Sequence, residues 1–286
     1  MNDPDAASDA AGGLLDVPGA RLFYRRTGSG PALLMIPGSP ADSYDFVSIV
    51  PMLADRYTVL TYDWRGFSSS SLTGPPADLS LAMLTDDAYR LLAATGSGPA
   101  YVFGSSAGGL VALDLLAEHP DQVRAVVAHE PPATELLAGT DPRRELGHQT
   151  YELYRRQGVG PAMRAFAAGL GFGGSPPVMD EEPPPELREV MARMREKVVR
   201  QQKNAEFFLA HVLRSITSLP DLAVLSELSA RVTIAVGTDS VRQFAHDTGL
   251  ALAERLGVTA AVFPGGHAGF LTHPAAFADK LSRVLR

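Results

Sequence analysis

The sequence predicts an α/β fold, built on a mostly parallel sheet with helices on both faces and an inserted helical cap. Two observations support this prediction. Short apolar runs alternate with longer stretches of helical periodicity, which is typical of strands joined by crossover helices. In the middle of the chain this alternation stops, and residues 131–222 show helical patterns without a convincing strand. An all-helical insertion between two strands of one sheet predicts a cap, or lid, over the sheet.

The elements of the predicted core follow one another in a regular order. Strands are predicted at residues 21–26, 32–36, 58–62, 100–103, 123–129, 232–236 and 260–263. Helices are predicted at residues 44–54, 79–94, 106–118, 241–256 and 274–286. The run at residues 32–36 is continuously apolar, as expected of a parallel strand that is buried on both faces. The core is therefore predicted at residues 14–130 and 223–286, after a flexible tail at residues 1–13.

The insertion at residues 131–222 has predicted helices of its own. They fall near residues 141–157, 161–170 and 185–218, and a Gly/Pro-rich loop occupies residues 171–185. Its large apolar side chains predict a pocket for a small hydrophobic acyl or alcohol group, although a core within the cap would explain them as well. These side chains are Phe166, Leu170, Phe172, Met191, Met194, Phe207 and Phe208.

Composition and charge exclude several classes of function. The formal net charge is −7 and no basic run is present, so the chain lacks the electrostatic footprint of a nucleic-acid or anionic-membrane partner. The absence of cysteine excludes disulfides and thiolate metal sites, and no histidine pair has metal-ligand spacing. The N-terminus lacks a secretory signal, and no apolar run approaches the roughly 18 residues of a membrane span. We expect a cytoplasmic protein with a small-molecule substrate, and its oligomeric state stays open.

A nucleophile is predicted at Ser106. Residues 103–109 read Phe-Gly-Ser-Ser-Ala-Gly-Gly, which places Ser106 in a G-x-S-x-G motif between an apolar strand and a helix. On such a sharp turn, side chains two residues to either side would collide, and Gly104 and Gly108 remove them. The N-terminus of the following helix favours developing negative charge. Ser105 is a poorer candidate, because Phe103 stands two residues before it.

The base is predicted to be His267. It follows Pro-Gly-Gly directly after the last predicted strand, and those glycines allow the loop to reach back over the strand ends. Histidine suits this task because it takes and returns a proton near neutral pH. His273 is expected at the start of the last helix. Other histidines fall on helical patterns and are expected to be packed or solvated: His119, His148, His211 and His246.

Two backbone N–H groups are predicted to form an oxyanion hole. One belongs to Ala107, the residue after the nucleophile. The other is expected from the loop after the 32–36 strand, which reads Pro-Gly-Ser-Pro. Ser39 is the candidate there, because Pro37 and Pro40 have no N–H to donate.

Together these residues resemble the α/β-hydrolase superfamily from about residue 14 onward. Four features stand in that family's order: the loop at 37–40, the Asp-Trp-Arg-Gly-Phe-Ser turn at 63–68, the serine turn at 104–108 and the loop at 264–267. The resemblance implies an eight-stranded, mostly parallel sheet with catalytic loops at its C-terminal edge, and no cofactor. Many members have His-Gly where this chain has Pro37-Gly38, but a backbone donor does not depend on that histidine.

The third member of the predicted triad has two candidates. In the family, the acid usually follows the strand after the cap in a Gly-x-x-Asp pattern. Here Ser240 occupies that position and Asp239 comes one residue earlier, where it also suits the start of the helix from residue 241. Some hydrolases take the acid from the strand before the cap, which here ends at Glu130. A carboxylate at that point needs a partner, either a histidine or a cap arginine.

A serine and a histidine in these positions favour acyl transfer to water, with an ester, thioester, lactone or amide as substrate. Epoxide hydrolases and haloalkane dehalogenases of this fold use an aspartate nucleophile, so Ser106 argues against both. A C–C bond hydrolase or a cofactor-free perhydrolase stays open, because the same triad supports them. A non-catalytic ligand receptor is a third class, which the Ser–His pair disfavours.

Overall fold

The computed structural model describes residues 11–96, 98–171, 188–216 and 218–285, with the backbone alone at residue 11 and residues 188–197. Nine strands in these ranges form one sheet. They are β1 (Ala11–Val17), β2 (Ala20–Thr27), β3 (Ala32–Ile36), β4 (Thr58–Tyr62), β5 (Ser71–Leu72), β6 (Ala100–Ser105), β7 (Val123–His129), β8 (Val232–Gly237) and β9 (Ala261–Phe263). Their order is β1-β2-β4-β3-β6-β7-β8-β9, and β5 pairs with β2. Pairs that involve β2 are antiparallel, and all the others are parallel.

Ten α-helices occur in the same ranges. They are α1 (Val50–Ala54), α2 (Leu81–Thr95), α3 (Ala107–Glu118), α4 (Leu146–Gln157), α5 (Val159–Gly169), α6 (Arg188–His211), α7 (Leu222–Glu227), α8 (Phe244–Leu256), α9 (Gly269–Thr272) and α10 (Pro274–Val284). Short 3₁₀ turns lie at Ser43–Phe46, Thr134–Leu136, Pro142–Glu145 and Ser229–Arg231. None of the described helices combines the length and apolarity that a membrane span requires.

Strand β3 shows why the sheet is covered on both faces. All five of its residues are buried, and successive side chains of a strand point to opposite faces. Leu34 and Ile36 belong to the apolar cluster that also holds residues of α2, α3 and α8. Leu33 and Met35 belong to the cluster formed with α1, α9 and α10. The helices therefore form a layer on each face, as predicted.

The C-terminal half of helix α6 packs against the core and forms hydrogen bonds with it. The ring of Phe207 packs edge-on against Phe67, with their centroids 5.3 Å apart. The Ser68 N–H donates to Asn204 Oδ1 at 2.9 Å, so a buried amide of the helix bonds a turn of the core. These contacts come from residues that follow β4, and they hold the insertion against the C-terminal edge of the sheet.

Three predictions about local structure are wrong. Residues 11–13 were expected in the flexible tail but begin β1, because Gly12 and Gly13 pair with Arg25 and Tyr24 in a hairpin. The helix expected at 44–54 is split into a 3₁₀ turn and α1, where Pro51 occupies the first turn, the position that suits proline. The helix expected from residue 241 begins at Phe244.

The remaining differences concern small elements and the insertion. The ninth strand, against eight implied by the family, is the two-residue β5. The short helices α7 and α9 were not predicted. Within the insertion, α4 begins at Leu146 after a 3₁₀ turn, α5 begins at Val159, and α6 ends at His211. Most of the predicted Gly/Pro-rich loop lies outside the described residues.

Candidate active site

Ser106 occupies a strained turn between β6 and α3. Its backbone has φ 54° and ψ −126°, a region that residues with a Cβ rarely adopt. The Ser106 N–H donates to the carbonyl of His129 at 2.8 Å, which ties the turn to the end of β7. A Cβ on Gly104 would overlap the carbonyl of Gly108, and one on Gly108 would overlap that of Ile36. Only glycine therefore permits the close approach that forms this turn.

The two N–H groups predicted for an oxyanion hole border the same space. Ala107 is the first residue of α3, so its N–H has no acceptor within the helix. The loop after β3 lies against the nucleophile, since a Cβ on Gly38 would be 3.0 Å from the Ser106 Cβ. Ser39 and Ala107 both line the cavity that Ser106 lines. Neither N–H donates to another described residue, so both can bind an oxygen of a ligand.

Glu130 and His267 form a close pair at the end of β7. Glu130 is fully buried and has φ 49°, a left-handed backbone conformation that residues other than glycine rarely adopt. His267 Nδ1 lies 2.7 Å from Glu130 Oε2. The Gly237 N–H donates to Oε1 at 2.8 Å, and the Ser240 hydroxyl donates to the same oxygen. Burial alone would raise the pKa of Glu130, but the His267 and Ser240 hydrogen bonds help to lower it to about 2.

Asp239 lies close in sequence to Ser240 but in different surroundings. It is exposed, and its carboxylate accepts a hydrogen bond from Thr238 Oγ1 at 3.0 Å. Among the described residues it makes no hydrogen bond or ion pair with His267. The interpretation of Asp239 as the start of a helix from residue 241 is wrong, because Gln243 precedes α8. The structure therefore brings Glu130, and not Asp239, to the predicted base.

His129, the last residue of β7, was not predicted to lie at this site. It is fully buried, and neither ring nitrogen bonds a described residue. Its ring packs edge-on against Phe277 at 5.3 Å, and its centroid lies 6.3 Å from that of His267. Burial lowers the pKa of His129 to about 4, so the imidazole is neutral at pH 7. In the sequence, His129 is marked only by its position at the end of an apolar run and directly before Glu130.

One cavity of about 580 Å³ holds these groups together, a size within the range of small-molecule sites. Ser106 and His267 line it with the oxyanion candidates. From the insertion, the apolar side chains that line it are Leu146, Met163, Phe166, Ala167, Leu170, Phe208, Val212, Leu213 and Ile216. Of the predicted pocket residues, Phe207 is not in the lining and packs instead against Gly66 and Phe67. The side chains of Phe172, Met191 and Met194 lie outside the described residues.

The cavity also has a charged lining that sequence analysis did not predict. Arg143, Arg144 and Arg214 line it, and Asp45 is the only carboxylate among the described residues that do so. No motif marks these arginines, since their importance depends on which loops surround them. An apolar pocket therefore describes only part of this cavity.

The other histidines stand in varied places. His119 stacks on Tyr89 with centroids 4.0 Å apart, and His211 lies 3.4 Å from Asp78. His148 is exposed but lines the cavity, so the expectation of a purely structural place is incomplete for it. In the ranges that the structure describes, no group of three or more His, Asp or Glu side chains could hold a metal ion.

Comparisons with known proteins agree with this architecture. The family described as alpha/beta hydrolase fold matches residues 31–161. The uncharacterized hydrolase YraK of Bacillus subtilis (strain 168) is 31% identical over 278 residues, or 96% of this chain and 95% of the relative. A thermophilic esterase from Thermogutta terrifontis has a TM-score of 0.71 at 22% identity and covers 96% of this chain and 98% of its own. The enol-lactonase from Burkholderia xenovorans LB400 has a TM-score of 0.70 at 21% identity, over 96% and 99%. The predicted fold class is confirmed.

Proposed function

Because this chain belongs to the α/β-hydrolase superfamily, we propose that it is a serine hydrolase that cleaves an ester, thioester or lactone. Ser106 acts as the nucleophile, His267 as the base and Glu130 as the acid of its triad. The N–H groups of Ser39 and Ala107 form the oxyanion hole. The reaction needs no cofactor in this proposal, since the chain's own side chains supply every proton transfer.

One observation carries the proposal. A buried, ionised Glu130 lies 2.7 Å from Nδ1 of His267, and that histidine lines the same cavity as Ser106 on its strained turn. The second nitrogen of an imidazole held in this way serves as a proton acceptor, because Nδ1 carries the hydrogen that Glu130 binds. A buried carboxylate is costly unless it is paired, and hydrogen bonds with His267, Gly237 and Ser240 compensate that cost here.

The proposed reaction has two stages. Ser106 Oγ attacks the substrate carbonyl while its proton passes to His267 Nε2, and Glu130 stabilises the imidazolium that results. The negative oxygen of the intermediate accepts hydrogen bonds from the N–H groups of Ser39 and Ala107. His267 then protonates the leaving alcohol or thiol, and an acyl group remains on Ser106. Water attacks this ester while His267 takes one of its protons, and His267 returns that proton to Ser106 Oγ as the acid is released.

We assign residues 131–222 as a cap over this site and residues 14–130 and 223–286 as the core domain. The support is the cavity itself, because α4, α5 and α6 contribute lining residues together with Ser106 and His267 of the core. A cap over the site limits the access of water and strengthens electrostatic interactions within it. The cap is thus the part of the chain that selects the substrate.

Labelling with a fluorophosphonate tests the nucleophile. We expect the unaltered protein to be labelled at Ser106 and to hydrolyse p-nitrophenyl esters, and Ser106→Ala to lose both properties while its circular dichroism is unchanged. Ser105→Ala is the matched control, since Ser105 is the neighbouring serine and lines the same cavity. It should keep the label. A label found on another serine would remove Ser106 from this role.

A further inference from the structure

The lining of the cavity includes three arginines that the proposed acyl chemistry does not use. Three guanidinium groups, from Arg143, Arg144 and Arg214, stand against the single described carboxylate of Asp45. Asp45 belongs to the 3₁₀ turn at Ser43–Phe46, whereas the arginines come from the segment between β7 and β8. An arginine in a cavity lining favours an anionic ligand where no carboxylate of the protein already neutralises its charge.

Two of the three arginines already have partners. All three nitrogen atoms of the Arg143 guanidinium bond carboxylates, with Nε and Nη2 on Asp141 and Nη1 on Asp247 at 2.7 Å. Arg214 lies over the ring of Tyr151, 3.9 Å from its centroid, and its Nη2 is 3.3 Å from Asp78. Neither side chain is free to bind a ligand without giving up these contacts.

Arg144 differs from both. Its Nη1 donates to the backbone carbonyls of Glu135 and Leu137, each at 2.8 Å, and at 3.4 Å to that of Thr134. Within the described ranges, no carboxylate lies within ion-pair distance of Arg144, and its Nε and Nη2 make no hydrogen bond. The carbonyls hold the guanidinium through Nη1, and the edge formed by Nε and Nη2 has no partner among the described residues. That edge binds a carboxylate with two parallel hydrogen bonds.

The carbonyls that hold Arg144 belong to Thr134, Glu135 and Leu137, in the segment that follows Glu130 in the chain. In this segment Pro132 and Thr134 line the cavity. Leu137 packs against Phe244 and Ala245, which line it as well. Arg144 is therefore fixed to the part of the cavity wall that continues from the acid of the proposed triad.

We propose that Arg144 binds a carboxylate of the substrate, so that the enzyme acts on half-esters, thioesters or lactones of dicarboxylic acids. This inference rests on the proposed serine hydrolase function. Ser106 attacks the carbonyl at one end of the acyl group, while the free carboxylate at the other end pairs with Nε and Nη2 of Arg144. The apolar side chains of α5 and α6 surround the carbon chain between them.

A pair of substrates of equal acyl length tests the proposal. p-Nitrophenyl butyrate and p-nitrophenyl hemisuccinate both carry four acyl carbons, but only the second has a carboxylate. We expect the unaltered enzyme to have the higher kcat/KM for the hemisuccinate. Arg144→Gln should lower that value about 10- to 100-fold, mainly through KM, and change the value for butyrate less than about 3-fold. Arg144→Lys keeps the charge, and its kcat/KM for the hemisuccinate should lie between those of the unaltered enzyme and Arg144→Gln.

Arg214→Gln is the matched control, because it removes another arginine of the same cavity and should leave the ratio of the two kcat/KM values unchanged. If Arg144→Gln lowers kcat/KM equally for both esters, Arg144 only holds its loop in place, and the proposal is overturned. An enzyme that hydrolyses the butyrate but not the hemisuccinate would also overturn it, with the serine hydrolase function intact.

Binding separates the two proposals if neither ester is cleaved. Monomethyl succinate is titrated by calorimetry into the Ser106→Ala variant, with and without Arg144→Gln, and no turnover is needed. Binding that requires Arg144 would support the carboxylate site even if the proposed hydrolysis fails. Absence of binding in the Ser106→Ala variant would overturn it.

Discussion

The ends of β7 and β8 lie side by side at one edge of the sheet, yet the acidic residues that follow them have different environments. Glu130 is buried with both oxygens bonded, and it contacts His267. Asp239 is exposed and bonds only groups of nearby turns. The end of β8 instead supplies donors to Glu130, from the Gly237 N–H and the Ser240 hydroxyl. The end of β7 therefore carries the negative charge, and the end of β8 supplies the hydrogen bonds that hold the carboxylate in place.

The largest effect that separates the two ends should come from Glu130→Gln. An amide keeps the shape of the side chain but loses the charge that stabilises the imidazolium of His267, so kcat should fall about 10³- to 10⁴-fold. Asp239→Asn is the matched control at the end of β8 and should change kcat less than about 2-fold. Steady-state kinetics on p-nitrophenyl butyrate measures both. The reverse ranking would give the role of the acid to Asp239.

A second effect concerns stability in acid. The pKa of Glu130 is about 2 in the fold against an ordinary value of 4.5, so the unfolded chain binds more protons there as the pH falls. The stability that Glu130 contributes is present above about pH 4.5 and is lost toward pH 2. Between pH 5 and pH 3 the free energy of unfolding should fall by about 2 kcal/mol more in the unaltered protein than in Glu130→Gln. Urea unfolding at several pH values measures it, and parallel curves for the two proteins would contradict it.

The smallest effect should come from Ser240→Ala. This change removes one of the two donors to Glu130 Oε1 and leaves the Gly237 N–H in place. The carboxylate is then less well fixed, and we expect about a 10-fold loss in kcat with KM nearly unchanged. Ser240→Thr keeps a hydroxyl and should restore most of the activity. A Ser240→Ala variant with full activity would show that the end of β8 does not support the acid.

Sequence patterns were sufficient for most of the sheet and for the strand-to-helix turn that holds Ser106. The runs at β3, β4 and β7 were predicted with their observed bounds, because most of their residues are apolar and buried. Strand β1 was missed because its first three residues, Ala11-Gly12-Gly13, show no apolar alternation. Its pairing with β2 comes from the hairpin and not from a pattern of its own.

The environments of the two candidate acids and of the cavity lining were not predicted, for a different reason. Glu130 and Asp239 both follow predicted strands, but they differ in burial and in contact with His267, which sequence patterns do not display. The environment of Arg144 likewise depends on three backbone carbonyls, whose direction is set by the path of the loop. Contacts made by side chains to main-chain groups of other segments leave no periodic signature.

The buried ring of His129 carries no charge at neutral pH, although Glu130 is its neighbour in the chain. With a pKa of about 4, this imidazole takes up no proton at neutral pH, although it stands next to an ionised carboxylate. The Glu130 carboxylate therefore stands between an imidazole that is neutral at pH 7 and the His267 ring, whose Nδ1 it contacts. The aromatic rings that bury His129 thus keep a second imidazolium away from the carboxylate at this pH.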